Sequence, residues 1–266
     1  MIIKIISKIS KFILLILLFS ISPFVSISKD SSPNYNIPDF CQGNSRYGIL
    51  PNGGKPYCGP TAISNILVYL DKNGFPNLIE KENPTSQDQF NLIKLLGARY
   101  TKTSLESGTE PINLMKGLEK YVKEKGYDIS IQWKGWTNGG KYSIGRIPEQ
   151  EWINKVIGKF SYAILQVGWY KYDPKNEFYE RIGGHYVTGV DIKNNGIIIH
   201  DPSLRSGIES KDELCKFSQI KSGKLSGWEK YKERNATGYL KLEGIKVKEC
   251  ADIGIVDGAF IFKILP

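Results

Sequence analysis

Apolar residues in the first half of the chain recur at helical spacing. Ile63, Ile66, Leu67 and Leu70 fall at i, i+3, i+4 and i+7, one face of a helix. Pro60 suits its first turn, and Lys72-Asn73-Gly74 supplies the stop. A second helix is expected from a Thr85 or Ser86 cap to about Leu96. A third follows Gly108-Thr109-Glu110-Pro111, with Ile112, Met115, Leu118, Tyr121 and Val122 on one side, and ends near Gly126. The period then changes. Residues 128–133 alternate as a strand does, residues 133–142 read as an aromatic, Gly-rich loop, and residues 149–158 as a short helix with Trp152, Ile153 and Val156 inward. Strands are expected over 162–169, 185–192 and 197–201. Residues 171–181 form a polar excursion, and Lys193-Asn194-Asn195-Gly196 marks a hairpin turn. Residues 203–235 read as irregular and charged, and 239–242 and 259–265 as closing strands. Helices followed by an antiparallel sheet predict an α+β domain without repeats or an internal linker.

The N-terminus changes the picture of where the chain works. Lys4, Lys8 and Lys11 precede an apolar run over residues 12–19, and Ser26-Ile27-Ser28 offers small residues for cleavage. This is the layout of a secretory signal peptide over residues 1–28, and the run before Pro23 is shorter than the ~20 residues a membrane span needs. The mature domain is then 29–266, secreted or periplasmic, touching membrane only through the signal peptide before cleavage. Removing residues 1–28 takes away three lysines and no acid, so the formal charge falls from +9 to +6. Basic and acidic residues are interspersed, which predicts a solvated surface rather than a nucleic-acid-binding one, and no phosphate loop or nucleic-acid module signature is found. A monomer is expected.

The four cysteines are Cys41, Cys58, Cys215 and Cys250, with no C-x-x-C spacing and only two histidines in the chain. That argues against a structural zinc site, and no cofactor is implied. A Cys215–Cys250 disulfide would leave Cys41 and Cys58 as thiols. A Cys41–Cys58 pair would silence Cys58. The sequence leaves both open.

Candidate chemistry begins at Cys58. At a helix N-terminus, unpaired N–H groups and the helix dipole favour a thiolate, the reactive form. A nucleophilic thiolate needs a base and an orienting partner. His185 follows Gly183-Gly184 at an expected strand start, and Asp201 ends the next strand, so the hairpin can bring the two together. Strand alternation turns His200 away if Asp201 faces the site. The two glycines leave space beside His185 for a substrate. Trp133, Trp136 and Trp169 are candidates to line a cleft.

Cys58-Gly59-Pro60-Thr61-Ala62, Gly184-His185-Tyr186-Val187 and His200-Asp201-Pro202 together resemble papain-like cysteine peptidases of the bacteriocin-leader-processing type, and more nearly the mostly stand-alone, family thirty-nine-like group. The resemblance spans about residues 48–202, within a motif-bearing core of about 41–205, followed by a C-terminal extension of about 206–266. It implies a papain-like fold with helices packed on an antiparallel sheet, Cys58 as nucleophile, His185 as base then acid, Asp201 as orienter, and a peptide or protein substrate. Such enzymes usually carry a Gln a few residues before the Cys as an oxyanion donor. Here Asn52 stands six positions upstream and Gln42 sixteen; either can donate, and Asn52 can equally serve the turn with Gly53. The expected activity is that of an exported peptidase or amidase. A catalytically silent binding module, or a peptidyl transferase on the same triad, are the alternatives.

Overall fold

A computed structural model describes residues 36–157, 161–227 and 232–265. The expected signal peptide at 1–28, the start of the lead-in and Gly158 lie outside the described residues, as does the side chain of Val156.

The helices form where the pattern placed them. Helix α1 (Cys58–Lys72) is buried along nearly its whole length, with Ile63, Ile66 and Leu67 fully buried. Its polar residues are satisfied internally. Asn65 Oδ1 accepts from Phe40 N and from Gln89 Nε2, and Asn65 Nδ2 donates to Thr188 Oγ1. Helix α2 (Ser86–Leu95) begins on a capping box between Thr85 and Asp88 and continues as a π-helical turn, Leu96–Tyr100. Helix α3 (Pro111–Glu124) buries Met115, Leu118, Tyr121 and Val122 as expected, and Leu114 besides. Helix α4 (Gln150–Val156) buries Ile153 fully, whereas Trp152 stays half-buried with Lys134 Nζ over its ring.

The strands are β1 (Asp128–Gly135), β2 (Ser143–Gly145), β3 (Tyr162–Asp173), β4 (Phe178–Lys193), β5 (Gly196–His200), β6 (Glu213–Gln219), β7 (Lys224–Ser226), β8 (Glu233–Asn235), β9 (Leu240–Glu243) and β10 (Ile253–Leu265). All belong to one sheet. The α+β class holds, but the sheet is mixed rather than purely antiparallel: β1–β2 and β4–β7 pair in parallel. Six strands close a ring of antiparallel pairs, β3–β4–β5–β6–β9–β10 and back to β3. Alternation gives this ring two apolar faces. Leu165, Val167, Val187, Ile197, Ile199, Cys215, Leu242, Val256 and Ile261 form one cluster to which every ring strand contributes, the inside. Tyr162, Ile164, Tyr186, Phe260 and Phe262 face outward and pack with α1 and α3 in a second cluster.

Three expectations about the second half fail, each because backbone pairing does not require apolar side chains. Residues 171–181 are not a loose excursion. Lys171 pairs with Glu180 and Tyr172 with Tyr179, and the exposed Tyr172 ring stacks on the buried Tyr179 ring at 4.5 Å. His185 therefore lies within a long strand, not at its start. Residues 203–235 hold β6, β7 and β8. The hairpin turn is as expected, with Asn194 and Asn195 both left-handed, at φ 51° and 59°.

Candidate active site

Helix α1 crosses the outer face of β4, where Thr188 Oγ1 donates to Ala62 O at 2.9 Å. Its first residue, Cys58, thereby comes to the mouth of the ring. On β4, His185 shares the inner face with Val187, and Asp201 directly follows β5. His185 Nε2 and Asp201 Oδ1 stand 2.5 Å apart, with both residues buried. The other ring nitrogen is left to Cys58, whose sulfur is hydrogen-bonded to His185 and also receives the backbone N–H groups of Gly59 and Tyr186. The three sequence-predicted residues therefore meet. His200 points away, as alternation requires: its Nε2 meets Asp212 Oδ1 at 2.9 Å and its Nδ1 meets Pro38 O at 3.1 Å.

The electrostatics favour charge separation. Burial opposes a Cys58 thiolate, but the hydrogen bond and charge of His185, with the two backbone N–H groups, outweigh it and lower the thiol below its ordinary value. Burial also opposes a charged His185, yet the Asp201 carboxylate and its hydrogen bond raise the imidazole to about 9. Asp201 is pushed up by burial but held below the usual carboxylate range by His185, by Ser203 N–H at 2.9 Å and by Arg205. Asp201 Oδ2 makes no hydrogen bond among the described residues, and Arg205 Nη2 lies 3.9 Å from it.

A cleft of about 480 Å³ opens on this centre, lined by Gln42, Lys55, Cys58, Trp169, His185 and Arg205 among others. Cys58 is a free thiol, as are Cys41, Cys215 and Cys250, so neither disulfide weighed from the sequence is formed. Of the three tryptophans, Trp169 alone belongs here; it stacks on the His185 ring at 5.8 Å. Trp133 is fully buried between strand and loop, and Trp136 packs in a separate cluster beneath Tyr239.

Asn52 is not brought to the cleft. It takes the left-handed conformation (φ 53°, ψ 39°), accepts Lys55 N–H at its carbonyl, and spends its side-chain amide on Leu105 O at 3.0 Å. Its work is the turn it makes with Gly53. Gln42 takes the cleft position instead. Gln42 N donates to Pro202 O at 2.8 Å, next to Asp201, and its Nε2 donates to Lys55 O at 3.0 Å, three residues before Cys58. Gly54 makes this approach possible: at φ 79°, any Cβ there would fall 2.0 Å from Gln42 O. Gly184 lines the cleft and is exposed, and a Cβ there would meet Arg181 Nη2 at 2.4 Å.

The sequence reading missed Ser203, Arg205 and Lys248, which also line the cleft. It likewise missed a buried ion pair behind the ring wall, where Asp257 accepts from Arg181 Nε at 2.8 Å and from Tyr170 Oη at 2.6 Å. Neither set carries a local signal. Arg205 is recognisable only once Trp169 is known to lie beneath its guanidinium, 4.9 Å away. No family model matches the chain, and no curated protein is similar enough to count as a relative.

Proposed function

We propose that this chain is an exported, papain-like cysteine hydrolase that cleaves peptide or amide bonds by acyl transfer through Cys58. One observation carries the reading: a free cysteine at the first turn of a buried helix, hydrogen-bonded to an imidazole whose other nitrogen is 2.5 Å from a buried carboxylate. The thiolate attacks the carbonyl carbon and the C–N bond breaks. The proton held by His185 passes to the leaving amine. Water, deprotonated by the same imidazole, then attacks the thioester, releases the acid and restores the thiolate–imidazolium pair. Asp201 holds the ring in register and stabilises its charged form. The backbone N–H of Cys58 and the second N–H of the Gln42 amide, whose first is given to Lys55 O, would serve as the oxyanion donors; that both residues line the cleft supports this assignment. Export is read from residues 1–28, and the substrate class from the amide chemistry such a thiolate supports.

The test is labelling of the exported protein with a thiol-reactive peptide probe, with the modified residue located by mass spectrometry. Label should go to Cys58, vanish in Cys58→Ala and drop by ~10²-fold or more in His185→Ala. Labelling of His185→Ala at the wild-type rate would remove the catalytic reading and leave a binding module.

A further inference from the structure

The cleft over Cys58 has a charge pattern that the triad does not explain. Three of its lining residues are cationic, namely Lys55, Arg205 and Lys248, and among the described residues none that lines it is acidic. Asp201 lies behind His185 and is fully shielded from solvent. The cations differ in their commitments. Arg205 is tied down by Trp169, by the carbonyl of Lys246 at 3.2 Å and by the charge of Asp201. Lys55 and Lys248 are exposed and make no ion pair among the described residues. Lys248 reaches in from the loop before β10, so that a Cβ added at Gly183 would stand 3.7 Å from its Nζ. Lys55 sits on the Gln42 side, three residues before the nucleophile. The two ammonium groups thus come from different segments to one opening. With the thiolate and imidazolium cancelling, and Asp201 facing Arg205, the lysines leave the opening net positive. Such a cleft focuses its field on an incoming anion.

We infer that the site selects substrates with a carboxylate close to the bond cleaved, engaged by Lys55 and Lys248. This rests on the acyl-transfer reading of Cys58 and adds the class of substrate to it.

The experiment compares alkylation of Cys58 by iodoacetate, which is anionic, and by iodoacetamide, its neutral counterpart, near neutral pH and low salt. The ratio of the two rates is then measured again in the K55Q/K248Q variant and, for the wild type, in ~1 M salt, where screening reaches ~3 Å. The ratio should fall about tenfold in the variant and by a similar factor in salt. The salt arm needs no variant, so the test survives a substitution that spoils folding. A ratio that is unchanged in both arms overturns the inference while leaving a reactive Cys58 intact. A Cys58 that reacts with iodoacetamide no faster than an ordinary thiol, and indifferently to His185→Ala, overturns the acyl-transfer reading instead.

Discussion

At the scale of single residues, the arrangement at Cys58 fixes a pH dependence. The reactive form needs Cys58 deprotonated and His185 protonated. It accumulates as pH rises through the lowered thiol value and is lost as pH rises through about 9, where His185 gives up its proton. The rate of amide turnover, which needs both the thiolate and a proton for the leaving amine, should therefore rise as pH passes the lowered thiol value and fall again as pH passes about 9. Asp201→Asn removes the charge that raises His185, so the alkaline limb should move down toward neutral pH, and turnover should drop by ~10²–10⁴. A profile whose alkaline limb stays in place in Asp201→Asn would show that the carboxylate does not set the imidazole. The two oxyanion candidates separate in the same way. Gln42→Ala should lower turnover by ~10²–10³. Asn52→Ala loses the bond to Leu105 O and strains a left-handed position, so it should cost about 1 kcal/mol of stability in denaturant unfolding with little change in turnover.

At the scale of elements, α3 is held to the loop before β2 by Glu119, and this tie has its own pH signature. Burial raises the Glu119 carboxyl, but hydrogen bonds from Lys141, Tyr142 and Lys123 outweigh it and hold the group at about 2. Because the folded value lies below the ordinary 4.5, the stabilisation is full above that pH and fades as pH falls toward 2. Glu119→Gln should cost about 1–3 kcal/mol near neutral pH, and the gap to wild type in urea unfolding should close on acidification. Helices such as α3 were legible from the sequence because a 3.6-residue period is local. Met115, Leu118 and Val122 announce their face without reference to anything else. Cys58, His185 and Asp201 were legible for a related reason, since each sits beside a turn, a cap or a glycine pair that marks its place. The arm formed by residues 171–181 was not. Its side chains over 171–177 are exposed while its backbone pairs, so nothing in the hydropathy pattern distinguishes that stretch from a loop. That Gln42 and not Asn52 lines the cleft follows from the fold of the 42–55 loop, with Gly54 pressed on the Gln42 carbonyl, a contact that spacing to Cys58 does not encode.

For the whole molecule, the decisive feature is that the ring closes through residues beyond the motifs. Taken alone, 41–205 contains every recognisable signature, and 206–266 reads as an addition. Yet β6 pairs with β5, β9 joins β6 to β10, and β10 pairs with β3 from Phe262 to Ile253. These strands were hard to read because β6 and β9 are short, with only Cys215 and Leu242 fully or nearly fully buried beside Leu240, and gain their stability from partners distant in sequence. Removing 206–266 would expose the backbone edges of β3 and β5 and uncover the inner cluster around Leu165, Val167, Val187, Ile197 and Ile199. The two exposed edges flank β4, which carries His185, and β5 itself leads into Asp201. A chain ending at 205 should therefore fail to unfold cooperatively in urea, and should show no His185-dependent labelling of Cys58, although all three catalytic candidates remain in it. A cooperative transition for 29–205, with labelling at the full-length rate, would mean that the triad is held by the helices and the β4–β5 hairpin alone. The buried face of β10, from Ile255 to Phe262, argues that it is not: its side chains enter the inner cluster, the cluster under the helices and the one around Tyr170, and its backbone also carries β1.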